Sequence, residues 1–182
     1  MLAPDPVLIL AVRLTMAGVF LTGGVQQWRD RAMFAAVVEG YALLPRPLVA
    51  PFATLLPLAE IATGLLLLWP ASGDVGAFAG LGILGGVSSG VVINLLRGRR
   101  DIDCGCGGAS GDQTLSWALV ARNGVLGCFL GLGALQASPR ALAALDVGVA
   151  LCAGLAALGL YAASNQLLAN APRLQALRDG LA

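Results

Sequence analysis

The stretch Asp103-Cys104-Gly105-Cys106-Gly107-Gly108 holds two thiols separated by a single glycine. Such a pair can close a small disulfide ring, because glycine reaches the backbone dihedrals that a tight turn needs. The ring is strained, and strained disulfides are more oxidising and exchange more readily than structural ones. Gly107 and Gly108 leave the sulfurs approachable. Arg99 and Arg100 favour the thiolate, while Asp101 and Asp103 oppose it. The unit therefore reads as a redox-active dithiol. Cys104 sits beside Asp103, whose charge disfavours its thiolate, so Cys106 is expected to attack a partner and Cys104 to resolve the mixed disulfide. Two other readings stand beside this one: an inert pair of loop cysteines, and half of a metal site. The second needs about four ligands. With no histidine in the chain, only a partner or a second copy could complete them, and no metal is expected.

The lack of histidine also excludes Ser-His-Asp triads, His-ligated haem and His-based acid–base catalysis. Two further cysteines, Cys128 and Cys152, fall inside apolar segments near mid-membrane depth. They could face each other as a second pair that relays electrons from the loop, or serve as small packing residues. Cys152 continues a stripe of Ala144, Gly148 and Ala156 at helical spacing. Arg13, Glu60, Asn94, Arg122, Asn123 and Asp146 are the polar residues of these segments, and such residues usually face the bundle or a wet cavity. Arg13 and Glu60 fall at similar depths on adjacent segments, so an ion pair is expected between them. Arg122 and Asn123 could present charge and hydrogen bonds to a thiolate or to a quinone head group; alternatively, Arg122 could snorkel to the surface.

The elements that must position these residues are membrane helices. Of 182 residues, 58% are hydrophobic and 12% charged, against roughly 45–50% and about 25% in soluble domains. Mean hydropathy is +0.83. A net charge of +1 suggests no nucleic-acid partner. Five segments approach the roughly 20 apolar residues that a span requires: about Pro6–Gln27, Val49–Trp69, Val75–Leu96, Leu115–Leu135 and Ala141–Ala163. No basic region precedes the first, so it reads as a span and not as a cleaved signal. Residues 29–44 form an amphipathic interfacial helix ending at Pro45 and Pro47, and the tail Asn165–Ala182 a second one. The expectation is an all-α polytopic helical bundle, one domain over residues 1–182, its helices brought close by small-residue pairs such as Gly76/Gly80, Gly86/Gly90 and Gly127/Gly131.

All eleven basic residues are arginine. Five spans place eight of them on one face: Arg29, Arg31, Arg46, Arg97, Arg99, Arg100, Arg173 and Arg178. Arg140 alone takes the other. The positive-inside rule then puts the N-terminus outside, the C-terminus in the cytoplasm and the cysteine loop on the cytoplasmic side.

Four stretches, Glu39–Pro45, Pro57–Leu65, Asn94–Gly108 and Trp117–Asn123, resemble the methylamine utilisation protein MauE family, itself related distantly to DoxX-like membrane proteins. The resemblance implies a multi-pass protein of the bacterial inner membrane that supports maturation of the methylamine dehydrogenase small subunit. The implied partner is a thioredoxin-like periplasmic protein of the MauD type, and the implied chemistry is disulfide formation. The family's dithiol falls on Cys104 and Cys106, its intramembrane acid on Glu60 and its Arg-Asn pair on Arg122 and Asn123. No cofactor is required by any motif, although a quinone is admissible.

A periplasmic client and an arginine-rich cysteine loop pull in opposite directions. Either the loop folds back into the bundle and is reached from outside, or electrons cross the membrane, or the charge rule does not govern here. The competing functional reading is a non-catalytic assembly factor that holds the client or its partner through its helices.

Overall fold

The computed structural model describes residues 3–105 and 113–179, with side chains as far as Asn170. Among these are six helices: α1 (Pro6–Arg29), α2 (Arg31–Tyr41), α3 (Arg46–Leu68), α4 (Gly73–Leu96), α5 (Trp117–Gly133) and α6 (Ala144–Asp179). Four are long and apolar enough to cross a membrane: α1, α3, α4 and α6 as far as Asn170. The apolar helix α5 has 17 residues, about 26 Å at ~1.5 Å per residue, the short end of what spans a bilayer. The chain is an all-α, multi-pass membrane protein.

Local chemistry sets the boundaries. Asp5 caps α1 by accepting a bond from the Val7 N–H at 2.8 Å, with Pro6 in the first helical position. Asp30 alone separates α1 from α2. The amphipathic α2 turns Phe34, Val37 and Val38 inward, and Phe34 and Val38 pack against Val49 and Ala53 of α3. Helix α3 starts at Arg46, three residues before the apolar run at Val49. It continues through Pro51 and Pro57, since neighbouring helices can accommodate the backbone groups that proline frees in lipid.

Tertiary contacts at one end of the bundle involve the starts of α1, α4 and α6 and the end of α5. Ser138 N–H donates to the Pro4 carbonyl at 2.9 Å, and Arg140 pairs with both Asp5 and Asp146. These bonds, Asp146 first, hold the Arg140 guanidinium above its ordinary value. Asp146 also accepts from the Ala143 N–H at 2.9 Å, so it caps the start of α6. The opposite end carries α2, the start of α3 and, of the loop between α4 and α5, residues 97–105 and 113–116. The helices therefore alternate in direction.

The last helix departs from expectation in two ways. First, α6 runs unbroken for 36 residues, about 54 Å, so the tail continues the fifth apolar segment and does not form a separate helix from Asn165. Ala, Leu and Gln dominate that junction and favour helix; the side chains of Leu174, Leu177 and Leu181 lie outside the described residues. Second, the stripe of Ala144, Gly148, Cys152 and Ala156 faces outward. The packed face is instead Ala150 and Gly154, where a Cβ on Gly154 would stand 3.3 Å from the Leu14 Cβ. Gly76 and Gly80 do sit where helices meet: added Cβ atoms would lie 2.8 Å from the Leu67 N and about 3.0 Å from Leu130 and Phe20. Gly86 and Gly131 have nothing within 4 Å.

Candidate redox site and the cavity beside it

Past α4 the chain forms a short antiparallel pairing. Cys104 N–H donates to the Gln113 carbonyl at 2.8 Å, and Leu115 N–H donates to the Ile102 carbonyl at 3.1 Å; Asp103 and Thr114 bridge between them. Leu115, expected in the fourth span, belongs to this pairing, and α5 begins two residues later. The Asp103 carboxylate accepts from the Gly105 N–H at 3.0 Å, an Asx turn that starts the reversal. Gly105 has φ +72°, and a Cβ there would also lie 3.0 Å from Val37 Cγ1. The turn expected of the central glycine is thus seen in its backbone. Cys106, Gly107 and Gly108 lie outside the described residues.

Cys104 is buried, packed with Val91, Leu95, Leu115 and Leu119. The Tyr41 hydroxyl donates to its carbonyl at 3.3 Å. Arg99 fixes the other side of this corner. Its Nη2 donates to the Gly40 carbonyl at 2.9 Å, and its Nη1 donates to the Tyr41 carbonyl at 3.3 Å and the Asn94 Oδ1 at 3.2 Å. These are carbonyls at the end of α2, where a cation is electrostatically favoured. Asn94 is fully buried and donates back to the Gly90 carbonyl at 3.1 Å. Arg99 thus serves as a clamp between α2, α4 and the cysteine loop.

A cavity of about 210 Å³ opens beside Cys104. Phe34, Val37, Val38 and Tyr41 of α2, Phe52 and Leu56 of α3, and Gly86 and Gly90 of α4 form its apolar walls; Gln27, Glu60 and Cys104 are its polar and sulfur-bearing lining. Gln27 Nε2 donates to Glu60 Oε1 at 3.4 Å, while Gln27 Oε1 is buried with no hydrogen-bond partner among the described residues. Glu60, itself buried, also lines a second cavity of about 70 Å³ that reaches Arg122, Asn123 and Tyr161.

Arg122 points inward and does not snorkel. Its Nη1 donates to Asn165 Oδ1 at 2.7 Å, its Nε and Nη2 donate to Asn123 Oδ1 at 3.2 and 3.0 Å, and its guanidinium lies over the Tyr161 ring. Asn123 Nδ2 donates to Ser88 Oγ at 3.0 Å. The pair therefore ties α5 to α4 and α6 at the wall of the smaller cavity.

The expected Arg13–Glu60 ion pair does not form. Arg13 Nε donates to the Gly133 carbonyl at 2.9 Å, and its guanidinium lies against Gly73. Glu60 lies beside Gly23 and Gly24, ten or more residues further along α1, about 15 Å at ~1.5 Å per residue. Cys128 and Cys152 are both exposed on the outer surface, and no disulfide joins them.

The structure thus brings Glu60, Cys104, Arg122 and Asn123 around two adjoining cavities and leaves Cys128 and Cys152 outside them. Gln27 and Tyr41 join the site without having been singled out for it, and Arg99, expected to favour the thiolate, bonds the Gly40 and Tyr41 carbonyls and Asn94. Tyr41 lies in one of the four stretches that carry the family resemblance, and Arg99 in another; Gln27 carries no sequence signal. All four stretches converge here, through Tyr41, Glu60, Asn94 with Cys104, and Asn123.

The family model for methylamine utilisation protein MauE matches residues 5–136, from the cap of α1 past the end of α5. Methylamine utilization protein MauE of Paracoccus versutus is 34% identical over 164 residues, covering 90% of this chain and 88% of that protein. The Methylorubrum extorquens protein of the same name is 36% identical over 167 residues, covering 90% and 89%. That of Paracoccus denitrificans is 32% identical over 165 residues, covering 90% and 88%. No solved structure matches the chain. A match over the region from α1 to α5, which carries every site residue named above except Tyr161 and Asn165 of α6, with relatives above 30% identity across nine-tenths of the chain, places this protein in the MauE family of methylamine utilisation proteins.

Proposed function

We propose that Cys104 and Cys106 form a redox-active dithiol that exchanges with a thioredoxin-like periplasmic partner and so supports disulfide formation in the methylamine dehydrogenase small subunit. The observation that carries this reading is the setting of Cys104. A backbone pairing, an Asx turn and the Tyr41 hydroxyl hold it rigidly, and it borders a cavity within the bundle. A thiol so placed can meet Cys106 across one glycine and still communicate with the membrane interior. The protein works in the bacterial inner membrane; a periplasmic N-terminus puts the cysteine corner at the cytoplasmic end of the alternating helices, so exchange with a periplasmic partner then requires a transmembrane relay or a loop reached from outside. The test is Cys104→Ser with Cys106→Ser, read by methylamine dehydrogenase activity and by the amount of small subunit. Loss of both with normal levels of the membrane protein is expected. Normal maturation in the double variant overturns the redox reading.

A second reading, a non-catalytic assembly factor, draws on Gly82, Gly85, Gly124, Gly131, Gly148 and Gly159, which have open space where a Cβ would stand. Such surfaces admit another helix closely. Normal maturation in the double-cysteine variant, combined with loss on replacing these glycines by leucine, would select it.

A further inference from the structure

We propose that the cavity beside Cys104 is a binding site for a membrane quinone, which takes up the electrons of the dithiol. The proposal rests on the redox reading of Cys104 and Cys106 and adds the acceptor.

Size, access and polarity argue for this occupant. About 210 Å³ is less than the roughly 300–1,000 Å³ of pockets that engulf a drug-sized ligand, so the cavity suits one substituted ring with any tail left in the mouth. Phe52, Leu43 and Gly86 are lining residues that are also exposed. The mouth therefore lies between α3 and α4, on flanks that face lipid, and the occupant enters from the bilayer. Phosphate-bearing redox cofactors cannot take that route. Phe34, Tyr41 and Phe52 are among its lining, and aromatic side chains suit a flat ring. The polar end discriminates further. Buried polar atoms are almost always paired, yet Gln27 Oε1 has no partner beside Glu60. An acyl chain offers nothing to this polar end, whereas the hydroquinone product carries hydroxyl donors for the acceptors of Gln27 and Glu60.

The redox step balances. The two thiols lose two protons and two electrons and become one S–S bond, while the two quinone carbonyls gain them and become the two hydroxyls of a hydroquinone. Glu60 lines both cavities. The smaller one, about 70 Å³, holds roughly two waters at about 30 Å³ each, so Glu60 can hand protons between the ring and that side of the bundle.

Gly86 supplies a test that leaves the cysteines untouched. It lines the cavity at its exposed mouth and an added Cβ would have nothing within 4 Å, so Gly86→Leu can place a side chain at the mouth and obstruct entry. Gly82 is equally open but is not part of the lining, so Gly82→Leu is the control. The full chain in lipid nanodiscs would be titrated with ubiquinone-1, and oxidation of its dithiol by ubiquinone-1 followed in the same samples. At least tenfold weaker binding and tenfold slower oxidation are expected for Gly86→Leu, with Gly82→Leu unchanged. Menadione, a ring without a chain, should displace ubiquinone-1, and farnesol, a chain without a ring, should not. Unchanged binding in Gly86→Leu, or displacement by farnesol alone, overturns the proposal. Should Gly86→Leu misfold, an azidoquinone photolabel on the wild-type protein decides: label on α2 and α3 supports the site and label elsewhere overturns it. Thiol exchange with thioredoxin is measured separately. A dithiol that exchanges in a protein that binds no quinone removes the acceptor alone. Quinone binding with no exchange removes the redox reading and leaves the site.

Discussion

Arg99 Nη2 donates to the Gly40 carbonyl at 2.9 Å, so a residue three positions past the end of α4 closes the C-terminus of α2. The same guanidinium reaches Tyr41 O and Asn94 Oδ1, and Tyr41 in turn holds the Cys104 carbonyl. One cation thereby fixes the wall of the cavity and the approach to the thiol. Bonds of this charged kind are worth about 1.5–3 kcal/mol each when buried, and less with the exposure seen at Gly40 and Tyr41. Arg99→Ala should loosen α2 from the loop and speed maleimide labelling of Cys104 about tenfold. Arg99→Lys should recover only part of the protection, because an ammonium cannot serve three acceptors in a planar fork. Equal labelling in all three proteins would contradict the clamp.

Gly105→Ala separates two demands on one residue. A φ of +72° costs an L-residue about 1–2 kcal/mol, and the added methyl also crowds Val37 Cγ1 at 3.0 Å. Thermal unfolding in detergent should show the variant destabilised by more than the dihedral alone. Adding Val37→Ala should relieve the crowding and not the dihedral, so rescue stops short of wild type. Full rescue would mean that the left-handed backbone carries no cost.

The two cysteines should behave unequally toward the partner. Cys104 is 5% exposed, a setting that suits the resolving thiol. Cys104→Ser, which keeps Cys106, should accumulate a mixed disulfide with the thioredoxin-like partner on non-reducing gels, whereas Cys106→Ser should not. The reverse pattern makes Cys104 the attacker.

Arg13 and Glu60 should act independently. Separated by about 15 Å along α1, with Arg13 bonded to Gly133 O and Glu60 to Gln27, they share no partner in these bonds. Arg13→Ala and Glu60→Ala should add within about 0.3–0.5 kcal/mol in a double-mutant cycle of unfolding in detergent. A coupling above about 1 kcal/mol would point to a contact between them.

Reporter fusions address the number of crossings. If all five apolar helices cross, fusions at Gly73 and Ala182 should report opposite faces. Fusions that report the same face would remove α5, the 17-residue helix, from the spans.

How much of this was legible beforehand depended on what each residue's surroundings demand. Apolar length marked the membrane helices, because a bilayer asks only for about 20 residues without charge. The amphipathic α2 was readable because water on one side leaves a periodic imprint, seen in Phe34, Val37 and Val38. The turn at Gly105 was readable from the type of one residue. The rotation of each lipid-embedded helix was not: when lipid and bundle are both apolar, no stripe tells the inner face from the outer. For that reason the small residues of α6 at Ala144, Gly148, Cys152 and Ala156 pointed to an interface that lies instead at Ala150 and Gly154. Depth misled in the same way. Counting residues put Arg13 and Glu60 level, whereas the way α1 and α3 pack sets Glu60 against Gly24 and sends Arg13 to the carbonyl of Gly133. Sequence order thus showed which residues could carry chemistry and roughly where the chain crosses the membrane. Bringing Gln27, Tyr41, Glu60 and Cys104 around one cavity needed the side-by-side packing of four helices, since rise per residue measures position along an axis and only contact sets the angle around it.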